Sequence, residues 1–503
     1  MRRVVGRTDH VVVVGAGLAG LSAALRLAGA GRQVTLLERE HIPGGRAGRV
    51  SIEGYEFDTG PTVLTMPELI EDALDCVGER MADWLDLRPV RPAYRGFFPD
   101  GSTLDVHADV EEMAAEVERV AGAAEAAGYR RFVRFVSKLY AVEMRHFVDR
   151  NMDSPLSLSL PAIARLVALG GVRRLAPKVG QYLKDPRLRR LFTFQAMYAG
   201  LSPYDALALY AVIAYMDSVA GVFVPVGGMH AVPAAMAGAA VKHGVDIRYG
   251  RGAESVVLQG NRATGVVTAD GELMAADAVV LTVDLPVAYP TLLDRRPARS
   301  RRFRYSPSCV LIQVGSRATY RQLAHHNIHF GRSWRDVFGD LIDHGRLMQD
   351  PSLLVTNATC SDPSLAPTGK HTYYVLAPAP HTGWDIDWEA IGPRYRDELL
   401  STMDSRGYVG FEGSVEVERV VTPADWESMG LAAGAPFSLA HTPGQTGPFR
   451  PSNIAPGLDN VVFAGSATHP GVGVPMVLIS GRLAAERVTG PDPTYRSRAW
   501  RPT

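Results

Sequence analysis

Short apolar runs and the turns between them predict a complete strand–helix–strand unit at the start of the chain. Residues 9–14 end in four consecutive valines, a pattern typical of a strand buried in a parallel sheet. A glycine-rich turn at residues 15–20 leads into an Ala- and Leu-rich stretch, residues 21–28, that predicts a helix. Residues 33–37 form a second apolar run, and Glu38 follows it directly. We therefore expect two parallel strands joined by a helix.

The rest of the chain alternates between helix-rich and strand-rich stretches. Residues 67–150 and 155–220 have mainly helical patterns, with a turn at residues 99–102 between two short strands. Later strands are predicted at 245–247, 255–258, 264–267, 278–281 and 460–463, and a closing helix at 477–488. This order of elements indicates an α/β protein (α+β overall), in which a Rossmann-type domain carries an inserted domain of mixed sheet and helices.

The glycine spacing after the first strand suits a dinucleotide. Gly15 permits the tight turn, Gly17 lets the backbone approach a pyrophosphate, and Gly20 allows the helix to pack closely on the strand. The helix N-terminus then presents unpaired N–H groups to the phosphates. Glu38 stands where an acid would bind ribose hydroxyls, which favours an adenosine without a 2′-phosphate. We expect a dinucleotide site at this edge of the sheet.

Charge and composition exclude several other classes of protein. The 503 residues include 53 Lys and Arg against 53 Asp and Glu, and this balance argues against a nucleic-acid-binding protein. Cys76, Cys309 and Cys360 are too few and too scattered for a disulfide framework or a zinc site, so we expect no metal and a reducing, cytoplasmic environment. The best apolar run, residues 206–216, is shorter than the roughly 20 residues of a membrane-spanning helix.

Two further glycine-rich segments resemble known flavin-binding motifs. The Gly-Gly-Arg turn at residues 44–46 is similar to that of the flavin amine-oxidase superfamily, in which this turn lies beside the flavin. Residues 460–476 resemble the C-terminal flavin motif of bacterial-type phytoene desaturases, the carotenoid desaturase branch of that superfamily. The matching residues there are Gly465, Thr468, His469, Pro470, Gly471, Gly473 and Pro475. The likeness covers about residues 8–488, and the sequence departs from the family pattern at Thr282, Ala467, Val474 and Met476.

The resemblance implies FAD as the cofactor and a set of residues around it. Arg46 would bind a phosphate or the anionic reduced flavin, and the helix that starts near Pro475 would face the ribityl chain or the pyrimidine edge. Met476 adds a side chain where the family usually has glycine, which would narrow a pocket beside the flavin. The predicted cofactor-binding residues are Gly15, Gly17, Leu18, Ala19, Gly20, Glu38, Arg39, Gly44, Gly45, Arg46, Gly60, Pro61, Thr62, Ala253, Gly465, Ser466, Gly473, Val474, Pro475 and Met476.

The resemblance also implies a reaction. A phytoene desaturase introduces C=C bonds into 15-cis-phytoene by hydride transfer to flavin N5, giving lycopene, zeta-carotene or neurosporene, and a quinone or oxygen would accept the electrons. His469, in the flavin motif, is the candidate catalytic residue, with a turn-shaping hydrogen bond as its alternative role. Two other functions stay open: another carotenoid redox enzyme (a C30 desaturase, hydroxycarotenoid desaturase, isomerase or ketolase) and a non-catalytic flavin-binding membrane protein.

A hydrocarbon substrate would have to come from a membrane. Moving a C40 hydrocarbon through water costs on the order of 30 kcal/mol. Residues 151–190 contain 8 Lys and Arg against 2 Asp and Glu, interleaved with apolar residues, and Ser159 and Pro161 are typical of a helix start. Such a basic amphipathic segment can lie on an anionic bilayer, so we expect a cytoplasmic protein attached peripherally to the membrane. A helical lid packed on the domain core is the alternative.

These observations give a prediction of the domain organisation. We expect a discontinuous FAD-binding domain and a substrate domain that is inserted into it in two pieces. The FAD-binding domain comprises residues 1–67, 221–290 and 445–490, the substrate domain residues 68–220 and 291–444, and a flexible tail residues 491–503.

Overall fold

The computed structural model describes residues 1–296, 302–492, 495 and 497, and the elements below lie within them. The strands are β1 (His10–Val14), β2 (Gln33–Leu37), β3 (Arg49–Ile52), β4 (Tyr55–Asp58), β5 (Leu87–Pro89), β6 (Tyr94–Phe97), β7 (Thr103–Val106), β8 (Phe223–Pro225), β9 (Asp246–Arg248), β10 (Ala253–Gln259), β11 (Arg262–Thr268), β12 (Leu273–Ala275), β13 (Ala278–Leu281), β14 (Ser308–Ser316), β15 (His326–His329), β16 (Leu353–Thr356), β17 (His371–Ala379), β18 (Val415–Val421) and β19 (Val461–Phe463). The helices are α1 (Leu18–Gly29), α2 (Glu68–Asp75), α3 (Val110–Ala121), α4 (Ala123–Glu143), α5 (Leu160–Leu169), α6 (Leu175–Val179), α7 (Pro186–Leu191), α8 (Val212–Ser218), α9 (Ala231–Lys242), α10 (Leu285–Leu292), α11 (Trp334–Phe338), α12 (Trp388–Ser405), α13 (Pro423–Ser428) and α14 (Val474–Thr489).

A five-stranded parallel sheet joins distant parts of the chain. Its strand order is β19-β13-β1-β2-β9, and every pairing is parallel. Val11 pairs with Val34 on one side and with Ala278 on the other. The valines of β1 are buried, because the strand has neighbours on both edges, α1 and α14 on one face, and β10, β11 and α10 on the other. The predicted Rossmann-type fold is therefore confirmed.

Helices α1 and α14 pack together on this sheet with their backbones in close contact. A Cβ added at Gly481 would lie 2.3 Å from the Ala19 carbonyl oxygen. The Ser22 hydroxyl donates a hydrogen bond of 2.8 Å to the Leu478 carbonyl. Each helix follows a parallel strand, so both helices start at the carboxyl edge of the sheet. Helix α14 starts at Val474, three residues before the predicted 477.

A seven-stranded sheet belongs to the inserted region. Its order is β18-β14-β17-β16-β15-β6-β7, with β6 and β15 parallel and the other pairs antiparallel. Alternate residues of β14, β16 and β17 pack on α12, and among them are Ile312, Val355 and Val375. Residues on the opposite face, such as Leu354 and Leu376, line a large cavity. The sheet therefore separates α12 from the cavity.

Residues 151–190 contain three short helices, α5 to α7. Ser159 and Pro161 stand at the start of α5, as predicted. The apolar residues divide between two surroundings: Leu156 is 96% exposed and Leu160 78%, whereas Leu166 is buried. None of the described helices combines the length and the hydrophobicity needed to span a bilayer.

The predicted domain boundaries stay a prediction. The strands of the five-stranded sheet come from the three segments assigned to the FAD-binding domain, but β5 and β8, from different predicted domains, pair with each other. The predicted flexible tail, residues 491–503, lies largely outside the described residues. Within it, the Tyr495 hydroxyl donates to the Asp72 carboxylate over 2.9 Å.

Candidate active site

A single cavity of about 1650 Å³ opens at the carboxyl ends of β1 and β13 and extends along the seven-stranded sheet. Pockets for one small ligand usually measure about 300–1000 Å³, so this volume suits a cofactor and a substrate together. Of the residues predicted to bind the cofactor, all except Gly20 line the cavity, and so does His469. Gly20 does not line the cavity. A Cβ there would lie 1.9 Å from the Gly15 carbonyl oxygen, which agrees with the predicted role of Gly20 in packing the helix on the strand.

The turn after β1 leaves open space at Gly17. Gly15 has a φ of +104°, which favours glycine. A Cβ at Gly17 would meet nothing closer than the Gly44 carbonyl oxygen at 3.9 Å. Helix α1 begins at Leu18, and no side chain caps its first turn, so its N–H groups are available to an anion at the cavity wall.

Glu38 is held in place by backbone donors. Its Oε2 accepts a hydrogen bond of 2.7 Å from the Ala16 N–H, and its Oε1 accepts one of 3.0 Å from the Glu40 N–H. The side chain is buried yet lines the cavity. A carboxylate has about four acceptor positions, so two bonds leave room for ribose hydroxyls. Thr282, where the family pattern has Asn, donates to the Val14 carbonyl and thereby supports this turn.

Arg46 connects the N-terminal turn to the C-terminal motif. Its guanidinium donates to the Ser466 hydroxyl over 2.7 Å and to the Pro436 carbonyl. Burial lowers the pKa of Arg46, and the nearby Asp284 partly opposes this effect. Burial raises the pKa of Asp284, which accepts from the Ala432 N–H and the Ser438 hydroxyl. The result is a cationic side chain fixed beside both glycine-rich turns.

The C-terminal turn presents a second helix N-terminus. Gly473, with a φ of +112°, precedes α14, and Pro475 lies in its first turn. The Gly465 N–H donates to the Ser480 hydroxyl, which in turn donates to the His469 carbonyl over 2.9 Å. Met476 is half-buried and lines the cavity. The helix start therefore faces the same space as α1.

His469 lies in the cavity wall as a neutral side chain. Its pKa is lowered to about 4, first by burial and then by the charge of Arg450. His441, also in the wall, is buried against the same arginine, and its pKa falls well below the usual range. Arg450 is fixed by donating to the Thr468 and Gln445 carbonyls.

The other half of the cavity is apolar. Side chains from α5, α8, α11, the seven-stranded sheet and the segments between these elements form its wall. They include Phe147, Leu158, Ile163, Leu166, Phe194, Met197, Leu209, Ile213, Met216, Ile328, Phe330, Trp334, Leu354 and Leu376. Phe330 contacts Phe194 and Trp334 edge to face, with ring centroids 6.2 and 5.4 Å apart. Such a wall suits a hydrocarbon.

A family model described as flavin containing amine oxidoreductase matches residues 18–489. The chain belongs to this family. A phytoene dehydrogenase from Streptomyces griseus is 57% identical over 494 residues, covering 98% of this chain and 97% of that protein. A zeta-carotene-forming phytoene desaturase from Myxococcus xanthus is 39% identical over 488 residues, covering 95% of this chain and 93% of the relative. Cyclohexylamine oxidase from Brevibacterium oxydans IH-35A has a TM-score of 0.60 at 15% identity, with 96% and 99% of the two chains covered, a likeness of fold alone.

FAD is the cofactor of this flavin containing amine oxidoreductase, and the cavity fits it in three respects. Gly17 leaves space that any side chain would fill. Two helix N-termini, at Leu18 and Val474, face the cavity without side-chain caps. Glu38 offers an acceptor for the ribose. The individual roles of the predicted cofactor-binding residues stay a prediction.

The sequence does not predict several polar residues of the cavity. Glu143, Asp217, Tyr94 and Tyr198 line the apolar half. They lie far apart along the chain and carry no motif. Asp217 offers one signal, since an acid directly after the apolar run 206–216 is unusual on a buried helix.

Proposed function

We propose that this protein is an FAD-dependent desaturase that introduces C=C bonds into phytoene. The observation that carries the proposal is the single cavity, with a dinucleotide cradle at one end and a long apolar wall at the other. The names of two relatives that match nearly the whole chain support the same substrate. Lycopene, neurosporene or zeta-carotene is the expected product, according to how many bonds are desaturated.

The protein's own part in this reaction is to hold the substrate and exclude water. When bound, FAD accepts a hydride from the substrate. Phe330, Trp334 and Leu354 offer a hydrocarbon only dispersion contacts, so they fix its position through shape. The seven-stranded sheet and α12 close one side of the cavity against solvent. Water exclusion strengthens every electrostatic interaction at the reacting atoms.

We also propose that the substrate enters from a bilayer beside α5. Leu156, Leu160, Val167 and Val172 are exposed apolar side chains of one segment, whereas Leu158, Ile163 and Leu166 of the same segment line the cavity. Exposed apolar residues grouped in this way are typical of a membrane contact. Eight basic residues in 151–190 favour an anionic surface, so we place the protein on the cytoplasmic face of a membrane. A quinone dissolved in that bilayer, or oxygen, is the proposed electron acceptor.

Expression in a colourless bacterial host that accumulates phytoene tests the proposed function. We expect new absorption bands in the visible spectrum of the lipid extract, and chromatography then identifies the polyene and counts its double bonds. Gly17→Val serves as the matched control, since it should remove the cofactor and leave phytoene unchanged. An unchanged extract from cells that contain flavin-loaded protein would contradict the proposal and favour a different carotenoid substrate.

A further inference from the structure

The desaturation proposed above requires a proton acceptor as well as a hydride acceptor. One carbon of the substrate loses a hydride and its neighbour loses a proton, so a basic group must touch the hydrocarbon chain. Titratable side chains along the substrate half of the cavity include those of Tyr94, Glu143, Tyr198, Tyr210, Asp217, His441 and His469. Cys309 and Tyr374 line the cavity from the seven-stranded sheet, and burial raises the pKa values of both, which favours their protonated forms.

Most of these groups are unsuited to accept a proton. Burial lowers the pKa values of His441 and His469, so both imidazoles are weak bases. Glu143 is buried, and its Oε1 has no hydrogen-bond partner among the described residues. Burial raises the pKa of this carboxyl group well above the usual range, which favours its protonated form. The three tyrosines stay protonated as well, because burial raises their pKa values.

Asp217 differs because its carboxylate is held by neutral donors. Oδ1 accepts from the Ser218 hydroxyl over 2.8 Å, and Oδ2 accepts from the Gln195 amide over 3.3 Å. Gln195 is itself fixed by donating to the Leu191 carbonyl. The side chain is 3% exposed, and the Ser218 and Gln195 groups that hydrogen-bond to it carry no charge. The Ser218 hydroxyl and the Gln195 amide each use one of the roughly four acceptor positions of the carboxylate.

The surroundings of Asp217 bring the pKa of its carboxyl group close to neutral pH. The titratable groups that face it are Tyr94 on β6, Tyr129 on α4 and Tyr198, all uncharged at neutral pH. Burial raises the pKa of Asp217 to about 7, and the Ser218 and Gln195 hydrogen bonds limit this rise. A general base is most effective when its pKa lies near the working pH.

The fold connects Asp217 to the cofactor side of the cavity. Helix α8 leads into β8, where the Phe223 N–H donates to the Leu64 carbonyl over 2.8 Å. Leu64 follows closely on the predicted cofactor-binding residues 60–62. Thr62 also reaches Tyr94 through two side chains, since it hydrogen-bonds to Thr356, Thr356 to His326, and the His326 ring packs on Tyr94 at 5.7 Å.

We propose that the Asp217 carboxylate is the catalytic base of the desaturation. The C–H bond of one substrate carbon breaks as its proton forms an O–H bond with Asp217. The electron pair of that bond becomes the new C=C bond, while the hydride of the neighbouring carbon leaves to the flavin. Asp217 then loses its proton to water before the next cycle. The assignment replaces His469 as the proton acceptor.

Rapid-kinetic measurements on flavin-loaded protein test this assignment, with phytoene supplied in phosphatidylglycerol vesicles without oxygen. We expect Asp217→Asn to keep its flavin spectrum and to slow flavin reduction by roughly 10²- to 10⁴-fold. The wild-type rate should rise as the pH increases through about 7, because the base must be ionised, and this dependence should vanish in Asp217→Asn. Asp217→Glu, which retains a carboxylate, should recover part of the rate.

Glu143→Gln is the comparison variant, since it alters the other carboxyl group of the same wall. Its rate should keep the rise through about pH 7, and infrared spectra should show a carboxyl group titrating there in wild type and Glu143→Gln but not in Asp217→Asn. If wild type reacts with phytoene while Asp217→Asn retains the rate or the pH dependence, the assignment of Asp217 is wrong. If flavin-loaded wild type does not react with phytoene, the proposed function itself is wrong, and the assignment of Asp217, which rests on it, is wrong with it.

Discussion

Gly17 and Gly20 lie three residues apart, yet the absence of a side chain serves a different purpose at each. At Gly17 a Cβ would enter open space, whereas at Gly20 it would lie 1.9 Å from the Gly15 carbonyl oxygen. The first glycine keeps room for a ligand, and the second permits contact between a helix and a strand. Their substitutions should therefore fail in different ways.

We expect Gly17→Val to fold normally and to bind no FAD, because its side chain would occupy the pyrophosphate position. Gly20→Val should lower the free energy of unfolding, because its Cβ would clash with the Gly15 carbonyl oxygen. A change of side-chain rotamer cannot relieve a clash with the backbone. Thermal unfolding and the flavin absorbance of the purified proteins distinguish the two. Normal flavin content in Gly17→Val would show that this turn does not hold the cofactor.

Asp217 gives a second prediction at the residue scale. Its pKa rises from 3.8 in an unfolded chain to about 7 in the fold, so the folded protein binds an extra proton between these values. The stability contributed by Asp217 therefore falls as the pH rises from about 4 to 7. Asp217→Asn removes this penalty and should stabilise the protein at about pH 8, by on the order of 4 kcal/mol, but not at about pH 4. Denaturant unfolding at the two pH values measures the difference; equal effects at both would contradict the pKa.

The cofactor and substrate sides of the site differ in how well the sequence predicts them. The sequence predicts the roles of Gly15, Gly17 and Glu38 because all three lie in one local strand–turn–helix–strand unit, whose geometry sets their relative positions. Asp217 and Glu143 line the same cavity only after α4 and α8 pack together. Apolar periodicity locates the helices but does not state which face meets a neighbour.

At the scale of elements, α5 has apolar residues on both of its faces. Leu166 lines the cavity, while Leu160 and Val167 are exposed. The sequence pattern alone shows a basic amphipathic segment and does not show this division, because the inner face depends on the fold of the whole inserted region. Helix α5 is therefore a thin wall between the protein surface and the cavity.

We expect Leu160→Glu combined with Val167→Glu to weaken binding to anionic vesicles by about tenfold or more, because charged side chains oppose insertion into the interface. Conversion of phytoene in vesicles should fall, whereas conversion in detergent should change little. Val409→Glu is the control, since Val409 is 75% exposed but lies outside the segment. Vesicle flotation measures binding, and equal binding by both variants would place the membrane contact elsewhere.

At the scale of the whole molecule, the cofactor cradle depends on three distant parts of the chain. Residues near 17, 253 and 473 all line one cavity, so an unfolded chain offers FAD no site. We expect free FAD at about 100 times its dissociation constant to stabilise the folded protein by about 2.7 kcal/mol. Thermal unfolding at increasing FAD concentration measures this, and Gly17→Val should show no shift. A shift in that variant would indicate a second flavin site.

The parallel sheet also has a consequence for how the protein is made. Strand β1 leaves the ribosome early, but one of its two neighbours, β13, is translated only when the ribosome has passed residue 278, and β19 later still. Until β13 has been translated, one edge of β1 therefore stays unpaired. An unpaired apolar strand can pair with other chains and aggregate. Because the cradle includes the start of α14, the nascent chain cannot complete it before residue 474 has been translated. A cell short of FAD at that moment would accumulate completed chains with an empty cradle, and flavin supply would then limit the yield of active protein.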